Sequence, residues 1–100
     1  MKNIISGLNK SFENRVRLGI MSVLMVNESI SFNELKDLLE VTDGNLASHI
    51  NALEKNGYIE VKKSFVGKKP NTRYVATSKG KGAFTTHLDY LGKLINNRDK

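Results

Sequence analysis

The stretch Ser31-Phe32-Asn33-Glu34-Leu35-Lys36-Asp37-Leu38-Leu39-Glu40-Val41-Thr42-Asp43-Gly44-Asn45-Leu46 decides the fold. Ser31 followed three positions later by Glu34 matches the reciprocal capping pattern that opens a helix. Leu35, Leu38 and Leu39 then form the apolar side of a short helix, and Val41 follows it. Thr42 or Asp43 can cap the next helix, whose inward stripe is Leu46, Ile50 and Leu53. Gly57, after Asn56, is placed to stop that helix. Two short helices joined by a turn of about four residues form a helix-turn-helix.

Working outward, Ser11 to Asn27 reads as a helix that precedes this pair, with Ser11 and Asn14 as possible caps and Glu13 suited to an early turn. Val16, Ile20, Val23 and Leu24 form one apolar stripe, and Leu18, Met21 and Met25 form a second. A helix apolar on two sides is covered on two sides, and another subunit is one available cover. Downstream the period changes. Tyr58, Ile59, Val61, Phe65 and Val66 are strand formers, Gly67-Lys68-Lys69-Pro70-Asn71 is a turn, and Thr72, Tyr74, Val75 and Thr77 resume the strand. This predicts a hairpin with lysines at and near its tip. Thr77 or Ser78 caps a last helix that runs to about Asn97.

Phe84, Leu88, Leu91 and Ile95 recur on that helix at spacings of 4, 3 and 4. At 1.5 Å per residue the helix is roughly 30 Å long, more than a domain this small can cover. A dimer seam is therefore expected there, with His87 and Leu94 beside it and Ile4, Ile5 and Leu8 added from the N-terminus. The fold class is α+β, mainly α: a winged helix-turn-helix in one domain spanning 1–100. Residues 11–77 are its core and wing, and 78–97 its dimerisation helix.

Composition narrows the function. The chain has no cysteine, which excludes disulfides, thiol catalysis and thiolate metal sites. Its two histidines, His49 and His87, are far apart, so no metal-ligand spacing exists and no metal or cofactor is expected. No Ser, Asp or Glu has a partner constellation for catalysis, so no enzyme is expected. The longest apolar run, Val23 to Val26, is far short of a membrane span, and Met1 to Lys10 lacks the pattern of a secretory signal, so a cytoplasmic protein is expected. The net charge of +6 comes from 16 basic and 10 acidic residues. Its excess sits in one place: from Val61 to Lys81 there are Lys62, Lys63, Lys68, Lys69, Arg73, Lys79 and Lys81 and no acid. A concentrated basic patch points to a polyanion such as nucleic acid, or simply to a solvated lysine-rich surface.

The sequence resembles the small single-domain winged-helix transcriptional regulators related to MarR and ArsR proteins. The likeness is carried by Ser31 to Leu35, Val41 to Leu46, His49 to Ile59, Gly67 to Pro70 and Tyr74 to Gly80, and covers roughly Arg15 to Leu91. It implies a DNA-binding homodimer with the third helix in the major groove and the hairpin on the backbone or minor groove. Such families often carry a hydroxyl residue followed by arginine where this chain has Ala47 and Ser48, so the arginine contact of the recognition helix is missing.

With Leu46, Ile50 and Leu53 inward, the opposite face of the recognition helix, about 43–56, carries Gly44, Asn45, Ser48, Asn51 and Lys55. Asn can pair with both edge atoms of adenine, and Ser can meet several bases. Asp43 can accept from cytosine and also suits a helix N-terminus. Asp43, Gly44, Asn45, Ser48 and Asn51 are thus the base-reading candidates. Thr42, Lys55, Lys62, Lys63, Lys68, Lys69, Arg73 and Lys79 are the backbone candidates, with the wing at about 58–77. For Arg73 the competing reading is a cross-strand partner for Glu60. Lys79 and Lys81 begin a helix whose dipole disfavours them, and phosphate is one reason for their presence. His49 is read as a boundary residue with a hydrogen-bonded ring. His87, beside the seam, faces either solvent or a dimer partner.

The reading is a sequence-specific duplex-DNA-binding regulator, a repressor by default, with double-stranded DNA and a second copy of itself as partners. No residue set points to a small-molecule effector. The alternative is a protein-interaction winged helix. It draws on Glu28 to Glu54, where six acids face only Lys36.

Overall fold

A computed structural model describes residues 5–96. The helical core comprises α1 (Arg15–Val26), α2 (Phe32–Leu39) and α3 (Asp43–Lys55). A short strand, β1 (Ile30–Ser31), precedes α2. The hairpin β2 (Ile59–Val66) and β3 (Lys69–Ala76) and the long α4 (Ser78–Ile95) complete the fold. This is a winged helix-turn-helix, mainly helical, with a three-stranded antiparallel sheet in the order β1-β3-β2.

α1 begins later than expected. The Asn14 side chain accepts from the amides of Val16 and Arg17, so it captures the first turn of α1 for itself. The preceding residues instead make two single 3₁₀ turns, Ile5–Gly7 and Lys10–Phe12, the second capped by Asn9. That turn buries Phe12 completely, against the rings of Tyr58, Phe84 and His87.

The capping box of α2 forms in full: Ser31 Oγ accepts from the Glu34 amide, and Glu34 Oε1 accepts from the Ser31 amide. That reciprocal bond to the Ser31 amide is the main reason the Glu34 carboxyl titrates below its usual range. Leu35 is buried and Leu39 half-buried, but Leu38 is 61% exposed. At 100° per residue Leu38 falls to the side of the Leu35–Leu39 axis, away from the face that packs on the core. Thr42 is the cap of α3, accepting from the Asn45 amide. At the other end Gly57 takes φ +78°, its amide donates to the Glu54 carbonyl, and the Tyr58 amide donates to the Leu53 carbonyl. Both bonds satisfy carbonyls that the helix end leaves open.

The wing's turn is tighter than the five residues expected. Only Gly67 and Lys68 lie between the strands, and Lys69, Pro70 and Asn71 already belong to β3. Gly67 at φ +65° with no positive φ at Lys68 fits the two-residue hairpin loop that has glycine first. Pro70 is tolerated because it lies opposite Phe65, one step from the closing pair Val66–Lys69. Alternation of the ladder makes that a non-hydrogen-bonded position, where the missing amide costs nothing.

The core is one cluster: Ile20, Met21 and Leu24 of α1, Ile30 of β1, Leu35 of α2, Leu46, Ile50 and Leu53 of α3, Ile59 of β2, and Phe12 and Phe84. Two residues expected in the dimer seam belong to this interior instead. Phe84 and His87 are 2% and 3% exposed, because the first half of α4 lies over Phe12 and Tyr58 and needs its inward side chains there. His87 therefore does not face solvent. The second half of α4 is different: Leu88, Leu94 and Ile95 are 44%, 37% and 81% exposed. Ile5 is also exposed, Leu8 and Leu91 are half-buried, and Ile4 lies outside the described residues.

Candidate nucleic-acid interface

Burial of Leu46, Ile50 and Leu53 fixes the rotation of α3 and turns its other face outward. Gly44, Asn45, Ser48, Asn51, Glu54 and Lys55 are all exposed. An open groove runs along this face, lined by Ser48, Asn51, Ala52, Glu54 and Lys55. Ser48, Asn51 and Lys55 of the expected set thus share one surface. Asn45, one turn earlier, opens onto a second groove with His49 of α3 and its cap Thr42, with Arg15 and Val16 of α1 and its cap Asn14, and with Glu40 and Val41 from the turn between α2 and α3. Asparagine amides offer both a donor and an acceptor, so this face can exchange paired hydrogen bonds with a base edge but brings little charge.

The acids near this face are partly neutralised. Asp43 pairs with Lys36 at 2.9 Å, which also holds the lysine's proton more tightly than usual. Asp43 is thus tied to α2, although it remains exposed. Glu54 has no ion pair among the described residues. It contributes, after burial, to raising the Tyr74 phenol above its ordinary range.

His49 is a boundary residue, as expected. It is half-buried, and its Nδ1 lies 2.9 Å from Arg17 Nη1. Since the guanidinium can only donate, Nδ1 accepts, and the bond belongs to the neutral form of the ring. Burial first, then the Arg17 charge, push His49 below its ordinary value. Arg17 is held in turn by the Ser11 carbonyl, 2.6 Å from Nε. Arg15 is exposed on the second groove, with no ion pair among the described residues. Sequence reasoning missed Arg15 and Arg17. Their charge was visible in the sequence, but only the packing of α1 on α3 sets them beside Asn45 and His49.

On the wing, Lys62, Lys63, Lys68 and Lys69 are exposed. Lys62 has a loose ion pair with Glu60 at 3.5 Å, and the other three have none among the described residues. Arg73 behaves otherwise than expected. It lies opposite Lys62, not Glu60, so the cross-strand pair with Glu60 does not form. Its guanidinium bonds Ser29 Oγ at 2.7 Å and the Ser29 carbonyl at 3.2 Å, and meets Glu34 at 3.5 Å. These bonds lock the root of the wing to the start of α2. Lys79 is exposed, with its ammonium 5.7 Å from the Tyr58 ring centre.

No metal-binding cluster of His, Cys, Asp or Glu occurs among the described residues, and no helix there is long and apolar enough to cross a membrane.

Residues 16–95 match the family described as winged helix DNA-binding domain. The chain is 38% identical over 88 residues to the uncharacterised protein MJ0432 of Methanocaldococcus jannaschii, covering 88% of this chain and 96% of that one. Its structure is similar to that of a transcriptional regulator homologue from Pyrococcus horikoshii, with a TM-score of 0.87, 31% identity and 100% of both chains covered. It shares its fold with a MarR family protein of Enterococcus faecalis, at a TM-score of 0.74 and 20% identity over 95% of this chain and 86% of that one. By the match over most of its length and by the helix, hairpin and exposed α3 face just described, the chain belongs to the winged helix DNA-binding domain family.

Proposed function

We propose that this protein is a sequence-specific, double-stranded-DNA-binding transcriptional regulator that works as a cytoplasmic homodimer and represses by occupying promoter DNA. The observation that carries the reading is the pairing of two surfaces. One is an uncovered polar α3 face with Asn45, Ser48 and Asn51. The other is a hairpin whose Lys63, Lys68 and Lys69 have no acidic partner among the described residues. Asparagine and serine read base edges in the major groove, while lysines on a stiff hairpin meet phosphates. A regulator homologue at 31% identity over the whole chain supports the same reading.

The homodimer rests on the distal half of α4. Leu88, Leu94 and Ile95 stand exposed on a helix that has left its own core, and Ile5 adds a further uncovered side chain. Leu91 of the same helix lines a shallow hollow with Leu8, Phe12, Leu18 and His87, which Glu13, Asn14 and Arg15 also border. Burial of these groups against a second copy removes apolar surface from water, the main favourable term in association.

The test is direct. The full chain selects duplexes from a randomised pool, and its affinity for the selected and random duplexes is measured across salt. If the dimer meets six to ten phosphates, affinity falls about 10³- to 10⁵-fold between 50 and 200 mM salt, and the selected duplex stays tighter throughout. Absence of salt-dependent duplex binding would instead favour a protein partner for the exposed acids Glu40 and Glu54.

A further inference from the structure

The wing carries an apolar tip among its lysines. Phe65 is 72% exposed and Val66 66% exposed, the two most exposed residues of that type on the hairpin. Phe65 lies directly opposite Pro70, so the ring and the pyrrolidine share one face of the hairpin. Lys68 lies in the turn between them, Lys69 beside it, and Lys63 two positions back on the face of Phe65. At the hairpin's root this same face carries Ile59, Tyr74 and Ala76, which pack on the core. Further out it has nothing of its own protomer to cover: the Lys63–Thr72 pair comes first, and the face turns apolar again at Phe65 and Pro70.

We propose that Phe65 and Pro70 form a wedge that enters the DNA minor groove, partly unstacks a base step and bends the duplex. This rests on the DNA-binding reading and adds to it a role that lysines do not perform. The occupant follows from charge: Lys63, Lys68 and Lys69 ring the tip without an acid, so a polyanion is the surface to which this apolar pair is delivered. Among polyanions, duplex DNA offers both phosphates for the lysines and aromatic base faces for the ring. Apolar side chains, Phe and Pro among them, act in this way in minor-groove binders. Paired strands are about 4.8 Å apart before side chains are counted, against a minor groove about 6 Å wide, so entry of the tip widens the groove. The tight glycine turn and Pro70 keep the pair rigid, so little ordering is lost on entry. Flexible TA and CA/TG steps resist unstacking least and are the steps the wedge favours.

The chain has no tryptophan, so Phe65→Trp places a single indole at the tip. Its emission, selectively excited, is followed on adding a duplex selected by the wild type, heparin as a polyanion without bases, or vesicles of equal parts phosphatidylserine and phosphatidylcholine. Quenching by the duplex and not by heparin is the expected result. In parallel, energy transfer between dyes at the duplex ends reports bending. Phe65→Ala straightens the duplex and lowers affinity roughly 5- to 100-fold while keeping the salt slope, and Phe65→Leu retains most of the bend. An indole unaffected by a duplex that binds tightly overturns the wedge and leaves DNA binding standing. So does equal quenching by heparin, a blue shift confined to vesicles, or a bend that persists in Phe65→Ala. If the wild type binds no duplex at all, both readings fall together, and the salt titration of the wild type identifies that case.

Discussion

His87 Nδ1 accepts a hydrogen bond from the Asn9 backbone amide at 2.9 Å, across most of the chain's length. Asn9 extends the link by donating from Nδ2 to the Tyr58 hydroxyl and accepting from the Ser11 amide. One buried imidazole thus ties α4 to the N-terminal 3₁₀ turn, with the Phe12 and Phe84 rings packed around it. Only a ring with a bare Nδ1 can accept this bond. Burial holds His87 below the ordinary histidine value of 6.5, with the Glu13 charge opposing in part. A depressed histidine means the unfolded chain binds more protons, so stability rises with pH through this window. The contribution is full above about pH 6.5 and is lost as pH falls toward the folded value; His49 acts in the same direction. Urea unfolding at pH 7.5 and 5.5 should show wild type weaker in acid. His87→Phe should cost about 1–3 kcal/mol at neutral pH, from the unsatisfied Asn9 amide, and flatten the pH dependence. An equally steep pH profile in the variant would place the sensitivity elsewhere.

Gly80 sits in the first turn of α4, where a Cβ would collide with the Tyr58 carbonyl oxygen and lie 2.8 and 2.9 Å from its carbonyl carbon and Cα. These are backbone atoms and have no rotamer to retreat into. Helix propensity alone gives Ala about 1 kcal/mol over Gly. The clash should reverse that sign, so Gly80→Ala melts lower than wild type while Gly82→Ala, facing open space, melts the same or higher.

The exposed α3 face gives a specificity test. Asn45→Ala and Asn51→Ala should each cost about 1–3 kcal/mol on the selected duplex and little on random DNA. Ser48→Arg should tighten binding to both through phosphate. Equal losses on the two duplexes would remove the asparagines from base reading.

Lys68→Ala with Lys69→Ala removes up to four phosphate contacts per dimer. Affinity should fall by a similar factor on selected and random DNA, and the salt slope should flatten by about 0.9 per contact. Thermal stability should not move, since both side chains are exposed. Wild-type affinity with an unchanged slope would take the wing tip out of the interface.

Leu88→Asp probes the homodimer with little damage to the protomer, because Leu88 is 44% exposed while Leu91 is half-buried against its own chain. A charge buried there without a partner costs several kcal/mol of association. Sedimentation should show wild-type dimers and variant monomers with equal helix content. A monomeric wild type at tens of micromolar would exclude the dimer.

How much of this was legible in the sequence depended on range. The α2 capping box, the Thr42 cap, the Leu46–Ile50–Leu53 stripe and the Gly57 stop are local, each set within a few residues, and all form as read. The basic hairpin was legible for the same reason, but its turn was read too long because Pro70 looks like a turn residue until its strand partner is known. The start of α1 turned on whether Ser11 or Asn14 caps it, two residues of equal capping preference a turn apart, and Asn14 takes the role through the Val16 and Arg17 amides. Periodicity could not divide the α4 seam. Phe84 and Leu88 lie on the same stripe, and only the presence of Phe12 beneath the first separates interior from surface. Arg73 and Arg17 escaped for a related reason, since their partners Ser29 and His49 are distant in sequence.

The two-residue strand β1, with the Arg73 bonds to Ser29 beside it, makes the wing a lever with its fulcrum at one end. From Arg73 to Lys69 is about 13 Å at strand rise. A tilt of about 10° at the fulcrum therefore sweeps the tip through roughly 2 Å, enough to take an ammonium out of hydrogen-bonding range of a phosphate. Any event that loosens Ser29 or Glu34, at the junction of α1 and α2, is thereby felt at the far end of the hairpin. Arg73→Lys, which keeps the charge but loses the fork, would leave the lysines in place and the lever unsprung.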